Sequence, residues 1–171
     1  MKALVLAAGK STRIAARVSG LPKPLIAING RPILLRTLEW LVAHDISPVW
    51  INLHYKPESI RDAVKGSQYV DLDIRFSHER ELLGTAGAVK NLEAEWTEPF
   101  LLVYGDNLLG FDIADIVASH RASGAALTMA LFHWENDLHS QIAGGRVECD
   151  EAMRVANFTE GAALGRAVSP W

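Results

Sequence analysis

Short apolar runs alternate with segments of helical period along most of the chain. Apolar or alternating runs bounded by turn residues predict strands at residues 2–6, 49–53, 72–76, 100–104 and 126–132. Apolar positions three and four residues apart predict helices at residues 33–44, 58–64, 85–92 and 112–123. Strands that alternate with helices form βαβ units. The pattern therefore predicts an α/β fold of the Rossmann-like, three-layer αβα type with a mainly parallel sheet.

The last part of the chain has a different pattern. Arg146 to Cys149 and Arg154 to Thr159 predict two short strands of a hairpin on either side of Asp150. After Glu160 the sequence G-A-A-L-G-R-A-V-S-P-W has no clear period. We therefore expect a single domain over residues 1–171 whose sheet is incomplete at its C-terminus.

Composition narrows the class of protein. Hydrophobic residues make up 49% and charged residues 22% of the 171 residues, which is ordinary for one globular domain. The net charge of -3 and the absence of a Lys/Arg run argue against a nucleic-acid partner. The apolar segment before Gly9 is too short for a signal peptide or a membrane span. The single cysteine, Cys149, cannot form an internal disulfide, so we expect a cytoplasmic protein with no membrane partner.

The turn after the first predicted strand is rich in small residues. Ligands of open α/β sheets bind beyond the carboxyl ends of strands, where successive backbone N–H groups can hold phosphate oxygens. Lys10 and Arg13 add positive charge, whereas Leu4 stands where a P-loop needs its first glycine. The alternative is a tight connection from strand to helix. The candidate binding residues are Leu6, Ala7, Ala8, Gly9, Lys10, Ser11, Thr12 and Arg13.

A lysine between two prolines follows this turn. Pro22 and Pro24 restrict the backbone on both sides of Lys23, which presets the direction of its ammonium group. Such a cation is suited to meeting an anion. The alternative is a stiff surface loop whose lysine is solvated.

A Gly-rich segment follows the third predicted strand and opens a helix. The helix N-terminus can attract negative charge, and Gly84 and Gly87 allow a flat group such as a base to lie against the backbone. The alternative is an ordinary helix start with Thr85 as its N-cap.

A carboxylate follows the strand at residues 100–104. Asp106 lies directly after Tyr104 and Gly105, where it is well placed to hold Mg²⁺, which normally takes one or two protein carboxylates plus substrate phosphates. The alternative is an Asx-type turn without a metal.

In this order, the four segments resemble the sugar-1-phosphate nucleotidyltransferase family. The family's hallmarks are an L-A-A-G-x-G-T-R-like loop, a P-K-P-L element, an L-G-T-A-G segment and a strand that ends in G-D. They are matched here by Leu6 to Arg13, Pro22 to Leu25, Leu83 to Gly87, and Gly105 with Asp106. The resemblance implies a nucleotide-diphospho-sugar transferase-like fold. It is closest to the hexose or heptose 1-phosphate guanylyl- and uridylyltransferases.

The resemblance also implies roles for individual residues. Gly9 and the backbone around it would contact the nucleotide, and Arg13 would stabilise the triphosphate during transfer. Lys23 would hold the α-phosphate or the incoming phosphate. Glu79 and the segment 84–87, with Gly84, Thr85 and Gly87, would hold the base and the sugar-binding side. Asp106 would ligate Mg²⁺ while a phosphate oxygen of a sugar 1-phosphate attacks the α-phosphorus of a nucleoside triphosphate and pyrophosphate leaves.

Some family features are absent. Ser11 replaces the usual second glycine of the loop, the common P-L-T after the loop is missing, and the later region with a second metal-binding aspartate does not occur. Two alternatives follow: a nucleotide-binding fragment without turnover, and a cytidylyltransferase for phosphocholine, a phosphonate or a polyol phosphate. An incomplete sheet would also leave an edge that a second copy of the chain can cover, as in a homo-oligomer.

Overall fold

The computed structural model describes residues 1–9, 20–69, 72–131 and 146–159. It divides into two compact units, residues 1–112 and 113–171. The strands of the first unit are β1 (Ala3–Leu6), β2 (Ala27–Ile28), β3 (Arg31–Pro32), β4 (Val49–Leu53), β5 (Ile74–His78) and β6 (Leu101–Tyr104). Its helices are α1 (Ile33–Ala43), α2 (Pro57–Lys65) and α3 (Gly84–Asn91).

A four-stranded parallel sheet with the order β5-β4-β1-β6 forms the core of the first unit. Leu4 and Val5 of β1 and Ile51 of β4 have no exposed surface, as expected for parallel strands that are covered on both faces. Leu4 also packs with Ala88 of α3, which places this helix against the sheet. The predicted α/β class with a mainly parallel sheet is therefore confirmed.

The strand order reverses direction beside β1. From β1 the chain goes to β4 and then to β5, and it returns to the other side of β1 as β6. The carboxyl ends of β1 and β6 thus flank a topological switch point, where open α/β sheets leave a crevice for ligands. Leu6 is level with Asn52 on one side and with Tyr104 on the other.

Five predicted elements of the first unit, β1, α2, β5, α3 and β6, begin one or two residues away from the predicted position. β5 starts at Ile74 instead of residue 72, because the Leu72 N–H donates to the Tyr69 carbonyl and not to a neighbouring strand. The alternating pattern indicated which residues share a face of this strand, but not where the strand begins and ends. α3 starts at Gly84, so Thr85 is its second residue and not the N-cap. The boundaries of β4 are as predicted.

The second unit contains α4 (Ile113–Ser123) and a hairpin of β7 (Arg146–Cys149) with β8 (Val155–Thr159). Both were predicted. Asp150 organises the turn, since its Oδ1 accepts hydrogen bonds from the backbone N–H groups of Ala152 and Arg154. The hydrogen bond from the Arg154 backbone is the main cause that holds the pKa of Asp150 below its usual value.

The strand predicted at 126–132 is wrong for its described part. Residues 126–131 form no strand, Leu127 is 71% exposed, and no described strand pairs with them. An apolar run becomes a strand only where a neighbour accepts and donates its backbone hydrogen bonds. In the described part of the chain, no helix has the length and apolarity needed to cross a membrane.

Candidate functional site

A cleft of about 230 Å³ opens at the carboxyl ends of β1, β4 and β6. It lies at the topological switch point and is formed by the turns that follow these strands, the start of α3 and the Pro-Lys-Pro segment. The lining residues are Leu6, Ala7, Ala8, Gly9, Lys23, Pro24, Asn52, Leu82, Gly84, Thr85, Tyr104 and Asp106.

The turn after β1 enters the cleft as predicted. Ala7 and Ala8 are buried, whereas a Cβ on Gly9 would have no neighbour within 4 Å among the described residues. The N–H of Ala7 donates to Oδ1 of Asn52 at 2.7 Å. This amide is already bonded within the protein, so N–H groups offered to a ligand come from later residues of the turn.

The turn after β6 approaches β1 closely because of a glycine. The Gly105 N–H donates to the Leu6 carbonyl at 2.9 Å. A Cβ at position 105 would lie 3.0 Å from that same oxygen and 3.2 Å from Cγ1 of Val5. Only glycine fits without a shift of the backbone, and the close approach brings Asp106 to the edge of the cleft.

Lys23 and Asp106, which are 83 residues apart, meet in the cleft. Nζ of Lys23 is 3.1 Å from Oδ2 of Asp106, and the two side chains are 37% and 32% exposed. Buried Pro22 and Pro24 hold the backbone on both sides of the lysine. The structure thus places the lysine opposite a carboxylate and not in a solvated loop. A half-exposed ion pair adds only about 0–1 kcal/mol to stability, so both side chains can change partners at low cost.

The donor set fits Mg²⁺ only together with ligand oxygens. No group of three or more His, Cys, Asp or Glu side chains is arranged to hold a metal within the described ranges. Asp106 supplies one carboxylate at the cleft. Mg²⁺ in phosphate sites commonly takes one or two carboxylates and completes its octahedron with phosphate oxygens and water, so a single aspartate is sufficient there.

The two predicted glycines at the start of α3 have different roles. Gly84 has φ +72° and lines the cleft, and a Cβ there would meet nothing within 4 Å among the described residues. Beside it, the Thr85 hydroxyl is 3.4 Å from the Tyr104 hydroxyl. Gly87 is more tightly packed, since a Cβ at position 87 would lie 2.8 Å from Cβ of Leu83. Its proposed contact with a base stays a prediction.

Glu79 lies beneath the cleft and is not among its described lining residues. Its side chain is only 3% exposed. Oε1 accepts a hydrogen bond from Nδ2 of Asn52 at 2.8 Å, and Oε2 accepts one from the N–H of Leu83 at 3.1 Å. Glu79 is thus bonded to Asn52, which lines the cleft, and to Leu83, which precedes α3, and its predicted contact with a base stays a prediction.

Lys10, Ser11, Thr12 and Arg13 lie outside the described residues. Their proposed contacts with the triphosphate stay predictions.

Four lining residues were not among the predicted site residues: Pro24, Asn52, Leu82 and Tyr104. Asn52 had a signal, since it is the polar position in the apolar run V-W-I-N-L near the end of a strand. Tyr104 also ends a strand, but a tyrosine at this position does not by itself indicate a binding site. Leu82 lies in the turn before α3 and is 48% exposed.

Comparison with known proteins gives consistent matches. A family model described as nucleotidyl transferase matches residues 2–162. The mannose-1-phosphate guanyltransferase of Schizosaccharomyces pombe is 33% identical over 135 residues, which make up 77% of this chain and 37% of that protein. The UTP–glucose-1-phosphate uridylyltransferase of Synechocystis sp. is 29% identical, and the alignment covers 99% of this chain and 46% of that protein. The chain thus spans less than half the length of these two curated relatives.

The crystal structure of HddC from Yersinia pseudotuberculosis complexed with GMP-PN has a similar fold. It superposes with a TM-score of 0.72 and 24% sequence identity, covering 95% of this chain and 70% of that one. At this identity the likeness shows the fold alone.

Proposed function

Because the chain belongs to the nucleotidyl transferase family, we propose that it is the nucleotide-binding part of a sugar-1-phosphate nucleotidyltransferase. The observation that carries this proposal is the cleft at the switch point, where Lys23 and Asp106 meet the turn after β1 and the start of α3. In the proposed reaction a phosphate oxygen of a sugar 1-phosphate attacks the α-phosphorus of a nucleoside triphosphate. The new P–O bond forms as the bond to the β-phosphate oxygen breaks, and pyrophosphate leaves.

Lys23 and Asp106 have complementary roles in this proposal. Nζ of Lys23 binds an oxygen of the α-phosphate or of the incoming phosphate, and the carboxylate of Asp106 would hold Mg²⁺. Bound Mg²⁺ would supply positive charge that neutralises phosphate oxygens. Phosphoryl-type transfers need mainly positioning and charge neutralisation, and a cation and a carboxylate 3.1 Å apart supply both at one place.

The ion pair itself suits an exchange of partners. Without a nucleotide, each side chain satisfies the other and stays in the cleft. With a nucleotide and its metal ion bound, Lys23 would pair with a phosphate oxygen and Asp106 would hold the metal ion, so neither charge would be left unpaired. The half-exposed setting keeps the cost of this exchange low.

We propose that the nucleoside lies along Gly9, Gly84 and Thr85, where the missing glycine side chains leave open space. Lys10, Ser11, Thr12 and Arg13 would then follow the turn towards the triphosphate. The two curated relatives are named for guanylyl and uridylyl transfer to hexose 1-phosphates. GTP and UTP are therefore the first nucleotides to test, with hexose and heptose 1-phosphates as acceptors. The lone cysteine is compatible with the cytoplasm as the compartment.

Titration calorimetry with GTP, UTP, CTP, ATP and dTTP, each with Mg²⁺, tests the proposal. We expect saturable, magnesium-dependent binding of one or two nucleotides. Asp106→Asn should weaken this binding by tenfold or more, given the usual strength of charge-assisted contacts, about 1.5–3 kcal/mol. Asp62→Asn is the matched control, because it removes an equal charge from an exposed position on α2 that does not line the cleft. A folded chain that binds none of the five nucleotides would contradict the proposal.

A further inference from the structure

A continuous chain of hydrogen bonds runs beneath the cleft from the turn after β1 to the turn before α3. The N–H of Ala7 donates to Oδ1 of Asn52 at 2.7 Å, and Nδ2 of Asn52 donates to Oε1 of Glu79 at 2.8 Å. Oε2 of Glu79 then accepts from the N–H of Leu83 at 3.1 Å. The side chains of Asn52 and Glu79, which we call the buried pair, are 3% exposed each.

The donor and acceptor directions of these three hydrogen bonds allow few combinations of residues at positions 52 and 79. Both ends are backbone N–H donors, so the two side chains must together offer three acceptor contacts and one donor contact. One amide and one carboxylate meet this requirement. Two amides place two donors face to face at one contact, whereas two carboxylates place two acceptors face to face in a buried position.

The backbone around Glu79 is also fixed. Its N–H donates to the Leu53 carbonyl at 2.8 Å, and its carbonyl oxygen lies 3.0 Å from Nδ1 of His54. No Lys, Arg or His side chain of the described residues forms an ion pair with its carboxylate. The carboxylate of Glu79 is therefore held by hydrogen bonds from two sides, one from Asn52 in β4 and one from Leu83 before α3.

We propose that Asn52 and Glu79 act as a positioning pair that fixes the turn after β1 relative to the start of α3. Glu79 serves the nucleotide site by holding Leu83, and through it the Gly84 and Thr85 segment. Asn52 holds Ala7 in the same way, by accepting a hydrogen bond from its N–H. This inference rests on the proposed function for its meaning in nucleotide binding, but the coupling between the two turns is testable without a nucleotide.

The test uses two single variants and their combination. While both carboxylates are ionised, Asn52→Asp creates a contact between two acceptors, so this variant is compared at a pH high enough to prevent a shared proton. Glu79→Gln creates a contact between two donors in any orientation of the amides. The double variant Asn52→Asp/Glu79→Gln restores every contact: Ala7 donates to the new carboxylate, the new amide donates to its other oxygen, and Leu83 donates to the amide oxygen. The net charge of the double variant equals that of the original pair.

Hydrogen exchange at the Ala7 and Leu83 amides is the first measurement, with the Ile51 amide as a reference for global opening. Each single variant should speed exchange at both amides about tenfold or more relative to Ile51, and the double variant should restore protection at both. Loss of protection only at the amide next to the substituted residue would overturn the coupling. So would a folded double variant that stays unprotected. If the single variants do not fold, a folded and protected double variant supports the pairing rule, and an unfolded one contradicts it.

Nucleotide affinity of the folded variants is the second measurement. Each single variant should weaken binding of the nucleotide that the unmodified chain prefers by about tenfold, and the double variant should regain it. Thr37→Val is the control: it removes a buried hydroxyl that bonds only within α1, to the Ile33 carbonyl, so it should leave the affinity unchanged. Unchanged affinity in the single variants would overturn the positioning role. Absence of binding by the unmodified chain would refute the proposed function, while the exchange pattern would still decide the coupling.

Discussion

Two polar pairs, one in the cleft and one beneath it, differ in burial and in the free-energy cost of breaking them. The buried pair, Asn52 and Glu79, is almost fully enclosed and bonded at every contact. The pair of Lys23 and Asp106, which we call the exchangeable pair, is about one-third exposed. A buried polar group that loses its partner costs far more than an exposed ion. The first pair is therefore suited to holding the cleft in shape, and the second to releasing its partners to a ligand.

The largest effect is expected from breaking the buried pair. Asn52→Leu keeps the number of side-chain heavy atoms but leaves the Ala7 N–H without its acceptor and Oε1 of Glu79 without its donor. We expect a loss of about 3 kcal/mol in the free energy of unfolding, from one unsatisfied amide and one unsatisfied charged group. Urea denaturation measures this. A loss below about 1 kcal/mol would show that the buried pair does not hold the cleft.

The exchangeable pair should respond in the opposite way. Lys23→Met removes the ammonium group from Asp106, and we expect a change of less than about 1 kcal/mol in stability, because the pair is half-exposed. Affinity for the magnesium–nucleotide complex should nevertheless fall about tenfold or more. Denaturation and calorimetry on the same preparation separate the two effects. A large loss of stability with unchanged affinity would reverse the assignment of roles.

A glycine that packs against Leu83 gives a smaller and indirect test. Gly87→Ala places a Cβ 2.8 Å from that of Leu83, whose N–H is bonded to Glu79. The strain of about 1–3 kcal/mol is partly offset by the better helix propensity of alanine, so we expect a net loss of about 1 kcal/mol. Gly110→Ala, with nothing within 4 Å among the described residues, should be nearly neutral in the same urea titration. Equal effects of the two substitutions would contradict the packing role.

The smallest effect concerns the exposed carboxylate of the hairpin, Asp150. Its pKa is lowered first by the backbone N–H of Arg154 and only then by the side chain of that residue. Its contribution to stability is therefore complete above the usual aspartate pKa and is lost as the pH falls through the lowered value. An NMR titration of the Asp150 carboxyl should give a pKa below the usual value, and Arg154→Ala should reverse the shift only in part. A complete reversal would assign the shift to the guanidinium group.

The sequence predicted those features that depend on local pattern. The apolar run at residues 49–53 marks the boundaries of β4, and the positions of Lys23 and Asp106 follow from motifs at the ends of elements. It did not predict the contact between Asn52 and Glu79, because a bond between side chains 27 residues apart depends on the register of β4 and β5. The alternating pattern of residues 72–76 did not determine at which residue β5 begins. The strand expected at 126–132 has no partner among the described strands.

The most direct test of the account is NMR mapping of the magnesium complexes of GTP and UTP on the chain. We predict saturable shifts at the amides of Gly9, Gly84 and Asp106, with loss of these shifts in Asp106→Asn and with Ala7 and Leu83 still protected from exchange. This result would show that the exchangeable pair receives the nucleotide while the buried pair stays intact. Saturating nucleotide that leaves all three amides unshifted in a folded chain would contradict the account.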